Sequence, residues 1–240
     1  YALMLITEPE KEEAIKYFKM AADKGNKDAM YKYAMMLKEG DGFEAPNEKE
    51  ACRYFKMAVN KGHIDSFYQY GLMLRDGKGI QKDEEEASFY FKMAADKGQI
   101  DGMYNYYLML KNGIGVDKNE DESFQYLKMA AESGHTDAMY DYALALEQGN
   151  GFEVNKKEAF KYFKLSAENG NPKAMFSYAL MLNKGEVVPA NKELACRYFK
   201  EAADNGIVES MQNYADTLAN DCSDEKANEE EASRYCKMSA

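Results

Sequence analysis

The sequence Ala21-Ala22-Asp23-Lys24-Gly25-Asn26-Lys27-Asp28-Ala29-Met30-Tyr31-Lys32-Tyr33-Ala34-Met35-Met36-Leu37 recurs, with small changes, as far as residue 218. A glycine recurs at intervals of 37, 36, 36, 36 and 36 residues, and a tyrosine follows it eight residues later in every copy. The glycines are Gly25, Gly62, Gly98, Gly134, Gly170 and Gly206, and the tyrosines are Tyr33, Tyr70, Tyr106, Tyr142, Tyr178 and Tyr214. Because a fixed period of this length is typical of stacked structural repeats, the sequence predicts a repeat protein.

Each copy predicts two helices, which we name helix A and helix B. Helix A of the first complete copy spans about 28–37, and its apolar residues have the spacing of one helical face. Helix B spans about 48–61 with the same kind of apolar face. A glycine turn joins the two helices, and its first glycine stands where a helix needs a left-handed terminal residue. An asparagine or aspartate, such as Asn47, precedes helix B and is expected to cap it. The equivalent caps are Asp83, Asn119, Asn155, Asn191 and Asn228.

The period divides the chain into units of one solenoid domain over residues 1–240. The predicted units are 26–62, 63–98, 99–134, 135–170 and 171–206, with partial units at 1–25 and 207–240. The connection from Leu5 to Ala14 is shorter than its equivalents, so either this turn is degenerate or a segment is missing near Ile6 and Thr7. The regular helices on both sides favour a missing segment. Neither end carries the polar cap that a finished solenoid needs. We therefore expect a fragment of a longer protein, which could self-associate through its uncapped ends.

Composition limits the classes of function. Of the 240 residues, 45% are hydrophobic, and the net charge is −11. A nucleic-acid-binding protein would need a basic face, so the sequence argues against binding DNA or RNA. No apolar run approaches the ~18 residues of a membrane span. Cys52 and Cys196 occupy the same helix B position four repeats apart, too far to pair in an open solenoid, and no cysteine spacing recurs with the repeat. This favours free thiols, a reducing compartment and a cytoplasmic location.

The repeat resembles a known family through the pattern Ala-Met-Tyr-x-Tyr-Ala-x-Met-Leu-x-x-Gly-x-Gly, followed by Glu-Ala-x-x-Tyr-x-Lys-x-Ala. This pattern is similar to the Sel1-like repeat, a relative of the tetratricopeptide repeat, and the Gly-x-Gly turn at Gly77 and Gly79 separates it from the shorter tetratricopeptide form. The resemblance covers essentially the whole chain. It implies an all-α fold, an α/α right-handed superhelix of antiparallel helix pairs that serves as an adaptor for proteins. Secreted members carry a disulfide in each repeat, and this chain does not.

One face of helix A is the candidate site for a partner. With Tyr33 at the centre of the core face, Tyr31 and Met35 point nearly the opposite way, and their equivalents are apolar in almost every copy. Either these residues are core between neighbouring helices, or they form the floor of a concave groove whose aromatic residues anchor a peptide. The residue next to the aromatic one is always polar and varies, which favours recognition. The candidate residues are Tyr31, Lys32, Tyr68, Gln69, Tyr104, Asn105, Tyr140, Asp141, Phe176, Ser177 and Asn213.

A second row lies on helix B, where a lysine recurs in seven copies: Lys19, Lys56, Lys92, Lys128, Lys164, Lys200 and Lys237. This row could bind a polyanion, but a solvated outer face explains it better. An acidic residue follows most of these lysines four positions later, and we expect each such pair to form on one helix. His63 and His135 are predicted to be surface turn residues.

No residue pattern indicates chemistry. The sequence offers no nucleophile and base in catalytic spacing, no phosphate loop, and no set of metal ligands, so we expect no enzyme activity, metal or cofactor in this fragment. The predicted function is a protein-interaction scaffold or adaptor that binds a peptide or a partner protein on its concave face. The alternative is a regulatory arm of a larger enzyme, for example one fused to a protein kinase domain. An extracellular hydrolase-like repeat protein is a third class, and it predicts disulfides within the repeats.

Overall fold

The computed structural model describes residues 8–221, 233–235 and 237–238. Ile6, Thr7, Cys222, Asn228 and Cys236 lie outside this part, and so do the expectations that concern them. Contacts divide the chain into two compact units, Tyr1–Tyr126 and Leu127–Ala240. Each unit is described by itself. Every element in the described part is a helix, which confirms the predicted all-α class.

The first unit contains six complete helices among its described residues and the start of a seventh. These are α1 (Glu8–Asp23), α2 (Lys27–Glu39), α3 (Glu48–Asn60), α4 (Ile64–Asp76), α5 (Glu84–Asp96), α6 (Ile100–Asn112) and α7 (Glu120–Glu132), which contains the boundary. Helices α2 and α3 form one pair and α4 and α5 the next, as the repeat predicts.

The second unit begins within α7 and continues with α8 (Thr136–Gln148), α9 (Lys156–Glu168), α10 (Pro172–Lys184), α11 (Lys192–Asp204) and α12 (Val208–Asp221). Helix α8 pairs with α9, and α10 pairs with α11. In both units each helix pair therefore consists of a helix A followed by a helix B. Within the described residues, no helix is both long enough and apolar enough to span a membrane.

A pair of tyrosines joins the two helices of every repeat. In the first unit the Tyr33 ring meets the Tyr54 ring edge-on, with centroids 4.8 Å apart and planes at 87°. Aromatic rings prefer this geometry because the positive edge of one faces the negative face of the other. The equivalent pairs are Tyr70–Tyr90, Tyr106–Tyr126, Tyr142–Tyr162, Tyr178–Tyr198 and Tyr214–Tyr235, at 4.8 to 5.1 Å. The core of each repeat is therefore built around the tyrosine that marks the period.

Most helix ends are formed by the capping residues that the sequence predicts. The predicted caps of helix B are confirmed, since the side chain of Asn47 accepts a hydrogen bond from the Glu50 backbone N–H, and the same bond recurs at Asp83, Asn119, Asn155 and Asn191. Helix A ends at a left-handed glycine, as predicted, at Gly40, Gly77, Gly113, Gly149 and Gly185. Helix A also begins with a capping side chain, which was not predicted from the sequence. These caps are Asn26, His63, Gln99, His135 and Asn171.

The second glycine of the turn has a packing role. Gly79 has φ +69°, and a Cβ placed on it would lie 2.7 Å from the Lys49 backbone nitrogen and closer still to the Glu48 carbonyl. Such distances are not tolerated between real atoms. The turn after α4 therefore touches the first turn of α3, the helix B of the preceding repeat, and only glycine allows this approach.

Candidate functional site

The aromatic residues of the candidate site are half-buried in every repeat. This holds for Tyr31, Tyr68 and Tyr104 in the first unit, and for Tyr140 and Phe176 in the second. They are therefore neither fully buried core residues nor fully exposed residues of a groove, which were the two alternatives drawn from the sequence. Each of these side chains is partly covered by the protein and partly accessible to solvent.

A phenylalanine of helix B supports most of these rings. Ring centroids are 6.0 Å apart for Tyr31–Phe55 and 5.9 Å apart for Tyr68–Phe91. In the second unit the distances are 5.9 Å for Tyr140–Phe163 and 6.0 Å for Phe176–Phe199. The four phenylalanines have no exposed surface. Because the supporting ring is fixed in the core, the half-buried ring above it is held in one orientation before any partner arrives.

Burial also determines the charge state of the phenols. Desolvation is the largest cause that raises the pKa of Tyr31, Tyr68 and Tyr140 above the ordinary value of 10.0. Near neutral pH these hydroxyls are therefore protonated and can donate hydrogen bonds. An apolar ring with a polar tip is typical of residues that anchor partners.

The polar candidates of the first unit are tied to neighbouring repeats. Lys38 donates from Nζ to Gln69 Oε1 at 2.8 Å, and Arg75 donates from Nη1 to Asn105 Oδ1 at 2.9 Å. A side-chain hydrogen bond also joins Tyr68 and Asn105. The structure thus brings together candidates from consecutive repeats, which was not anticipated from the sequence.

Asn105 uses both ends of its amide in these contacts, since its Nδ2 donates to the Asp101 carbonyl at 2.9 Å. In the second unit a side-chain hydrogen bond joins Tyr140 and Ser177, and Asn213 donates to the Glu209 carbonyl at 2.7 Å. Asp141 is half-buried. Polar candidate residues therefore form hydrogen bonds both within helix A and between consecutive repeats of each unit.

The rest of the face keeps its expected character. The second apolar row is half-buried throughout, at Met35, Leu72, Leu108, Leu144 and Leu180. In the last repeat the two rows become polar at Gln212 and Asp216, and both residues are exposed. Among the polar candidates, Lys32 of the first complete repeat is exposed as well. In each unit, we call the surface formed by its candidate residues and its part of this apolar row the helix A face.

The lysines of helix B make contacts that differ in part from those predicted. Pairs four residues apart form where the acid is glutamate, at Lys128–Glu132 (3.8 Å) and Lys164–Glu168 (3.7 Å). Where the acid is aspartate, the expected pairing is wrong. The Asp23 carboxylate instead accepts a hydrogen bond from the Tyr54 hydroxyl of the next helix B at 2.8 Å. The equivalent bonds are Tyr126 to Asp96 and Tyr235 to Asp204.

The shorter aspartate side chain explains the difference, because it does not extend back along its own helix as glutamate does. Several lysines of the row lie over a tyrosine of the next helix A instead. Nζ to ring-centroid distances are 5.6 Å for Lys56 over Tyr70 and 5.5 Å for Lys92 over Tyr106. These lysines therefore join helix B of one repeat to helix A of the next through cation–π contacts.

His63 and His135 lie in the turn directly before helix A, as predicted, but the prediction that they are surface residues is wrong. Both are half-buried caps of helix A, where Nδ1 accepts the backbone N–H of Ser66 at 3.3 Å and of Ala138 at 3.2 Å. The His63 ring also stacks on Tyr31 with centroids 4.5 Å apart. Burial is the largest cause that lowers the pKa of His63 below 6.5; the charged side chains acting on it are Asp65, Asp28, Lys27 and Lys32.

No metal-binding cluster is found among the described residues. In that part of the chain, no group of three or more histidine, cysteine, aspartate or glutamate side chains could hold a metal ion. Cys52 is a buried free thiol, and Cys196 is half-buried. Burial raises the pKa of the Cys52 thiol to about 11, so it is a poor nucleophile near neutral pH.

Comparisons with known proteins place these helix pairs in a class. A Sel1 repeat protein from Oxalobacter formigenes has 27% sequence identity and a TM-score of 0.77, over 90% of this chain and 87% of that one. The protein c5321, a protective antigen of uropathogenic Escherichia coli that displays an SLR fold, has 24% identity and a TM-score of 0.82. That match covers 94% of this chain and 48% of the antigen, so this chain spans about half of its length. A search of curated proteins finds no match. The fold class is therefore an α/α solenoid of the tetratricopeptide-like kind, as predicted.

The family is settled by its repeat pattern. A family model described as Sel1 repeat matches residues 5–26, 27–63, 66–99, 100–135, 136–171 and 172–207. The chain belongs to the Sel1 repeat family, and the resemblance inferred from its sequence is confirmed. Proteins of this family are generally non-catalytic scaffolds that bind other proteins.

Proposed function

We propose that this chain is a protein-interaction scaffold that binds a peptide or a partner protein on the helix A face. The observation that carries the proposal is the recurrence of a half-buried aromatic ring at one position of helix A, with four of the five rings resting on a buried phenylalanine of helix B. Tyr31 and Tyr68 rest on buried phenylalanines at nearly equal distances. A partner that covers such rings gains buried apolar area without a large cost in side-chain ordering.

The polar row supports the same proposal in a different way from the one expected. Gln69 and Asn105 already accept hydrogen bonds from Lys38 and Arg75, so a peptide would meet an ordered surface. Lys32 at one end and Asp141 in the second unit supply charges of opposite sign. We infer that these residues set which partner fits, and that the aromatic rings supply most of the affinity.

The proposed location is the cytoplasm, because Cys52 is a free thiol. Thiols that remain free are typical of reducing compartments. Self-association through the chain ends stays a prediction, and light scattering against protein concentration tests it. A mass that does not change with concentration would contradict it.

The test of the proposed function uses two double variants of the immobilised chain. Tyr104→Ala with Tyr140→Ala truncates the helix A face, and Lys128→Ala with Lys164→Ala alters the helix B surface as a matched control. We expect proteins captured from the source cells by the unchanged chain to be lost with the tyrosine variant and kept with the lysine variant.

Circular dichroism melting shows whether the tyrosine variant keeps its helices. If it does not, Lys32→Glu replaces it, because an exposed side chain can change sign without loss of packing. Capture that is equal for the face variants and the lysine control would contradict the proposal.

A further inference from the structure

A groove in the first unit lies apart from the helix A face. It has a volume of about 440 Å³ and runs between α3 and the turn after α4. Cys52 and Tyr70 form its floor, with exposures of 4% and 0%, and Ile80 lines one side. The groove shares no residue with the helix A face. A volume of this size accommodates a large side chain together with part of the backbone that carries it.

The groove exists because a small residue stands where another repeat has a large one. Position 52 is equivalent to Phe160 of helix α9, three repeats later. The Phe160 ring packs on the ring of Tyr178 with centroids 5.0 Å apart. Tyr178 is in turn the equivalent of Tyr70. The chain thus fills this position with an aromatic ring at Phe160 and leaves it open at Cys52. The equivalent positions of the other repeats hold Ser88, Phe124 and Cys196.

The hydroxyl of Tyr70, at the floor of the groove, is buried and lacks a hydrogen-bond partner among the described residues. Buried hydroxyls nearly always have a partner, and exceptions call for a physical reason. By contrast, the Tyr54 hydroxyl bonds to Asp23. An occupant of the groove that offers a carbonyl or carboxylate oxygen would satisfy Tyr70.

The rim of the groove is positively charged, although the whole chain has a net charge of −11. Three cations line it, Lys49, Arg53 and Lys56, against one acid, Glu50. The Glu50 carboxylate already pairs with Arg53 at 2.7 Å, and the Arg53 side chain is still 57% exposed. The net positive rim therefore attracts acidic segments and repels basic ones.

We propose that this groove binds one aromatic side chain of an acidic peptide segment in a partner protein. The ring of the partner takes the place that Phe160 fills in the second unit, against Tyr70 and Cys52. Acidic residues beside it pair with Arg53 and Lys56. An oxygen of the same segment accepts the hydrogen bond of the Tyr70 hydroxyl.

The test is a fluorescence anisotropy titration with a labelled peptide that has one phenylalanine between pairs of glutamates. We expect saturable binding to the unchanged chain. We expect Cys52→Phe, which fills the groove with the protein's own ring, to lose about tenfold or more in affinity. The matched variant Phe160→Cys opens the equivalent junction beside Tyr178 and should add a second binding site.

Three further measurements show whether the peptide is held in the groove itself. Lys49→Glu reverses the charge of an exposed rim residue and should weaken binding even if Cys52→Phe fails to fold. A peptide with lysines in place of glutamates should not bind. Tyr68→Ala on the helix A face should leave the affinity unchanged, which makes this proposal testable independently of the proposed function.

The proposal is overturned if the unchanged chain shows no saturable binding, or if folded Cys52→Phe binds as well as the unchanged chain. Equal binding of the lysine peptide would overturn it as well, because the rim would then have no role. Loss of affinity in Tyr68→Ala alone would assign the peptide to the helix A face instead.

Discussion

Replacing Gly79 by alanine tests how the repeats are held together. Two costs arise at this position. The first is backbone strain, because φ is +69° and an alanine in the left-handed region costs about 1–2 kcal/mol. The second is steric, because the new Cβ would lie 2.7 Å from the Lys49 nitrogen. Relieving such overpacking typically costs about 1–3 kcal/mol.

Gly62→Ala is the matched control. Gly62 has a similar φ of +73°, and nothing lies within 4 Å of the position that its Cβ would take. Gly62→Ala therefore carries the cost of backbone strain but not the steric cost. Alanine also restricts the unfolded chain to a similar extent in both variants, so this contribution cancels in the comparison. We expect Gly79→Ala to lower the free energy of unfolding by about 1–3 kcal/mol more than Gly62→Ala does.

The assay is urea unfolding followed by far-ultraviolet circular dichroism, with hydrogen exchange as the local readout. Repeat proteins need not unfold in a single step, so the amides of the first turn of α3 are the decisive probes. We expect Gly79→Ala to speed exchange there and Gly62→Ala to leave it unchanged. Equal destabilisation by the two variants, with no local change, would refute the idea that the turn packs on the preceding helix B.

Three further predictions concern single side chains. Because burial holds the pKa of His63 below 6.5, the neutral ring that caps Ser66 stabilises the fold above about pH 6.5, and this contribution is lost as the pH falls through the lower folded pKa. Urea unfolding from about pH 7.5 to about pH 5 should therefore show a steeper loss for the unchanged chain than for His63→Asn, and parallel curves would contradict this. Tyr54→Phe should lower the free energy of unfolding by about 1–2 kcal/mol, since the bond to Asp23 disappears. Tyr70→Phe should raise the midpoint of thermal unfolding because it removes a buried hydroxyl without a partner, and a lower midpoint would argue that the hydroxyl is satisfied.

The repeat pattern predicted the helix pairs because their causes are local. Asn47 caps α3 through a residue three positions away, and Gly40 ends α2 through its own backbone conformation. Such features depend only on residue type and short spacing. The caps of helix A are equally local but escaped prediction because the residue type varies: it is asparagine at Asn26 and Asn171, but histidine or glutamine, which are less common caps, in the other three repeats.

The contacts of the candidate site could be predicted only in part. The spacing correctly separated Tyr31 from the core residue Tyr33, but it left open how far Tyr31 is buried. The bond between Arg75 and Asn105 spans thirty positions. Whether it forms depends on how one helix A is placed beside the next, and the period does not determine this placement. The same reason explains why Asp23 pairs with Tyr54 and not with a lysine of its own helix.

The positions that keep the stack together differ from those that can change. The tyrosine pair that joins helix A to helix B recurs in every repeat, and the glycine of the turn is needed wherever it touches the preceding helix. Position 52 lies between these fixed points and can hold a residue as small as cysteine or as large as the phenylalanine at 160. The flanking tyrosine pair keeps its geometry in both cases, at 4.9 Å for Tyr70–Tyr90 and 5.1 Å for Tyr178–Tyr198. Because the frame tolerates either size, a repeat can open or close a groove at its junction without a change of fold, and this is how identical architecture can present different binding surfaces along one chain.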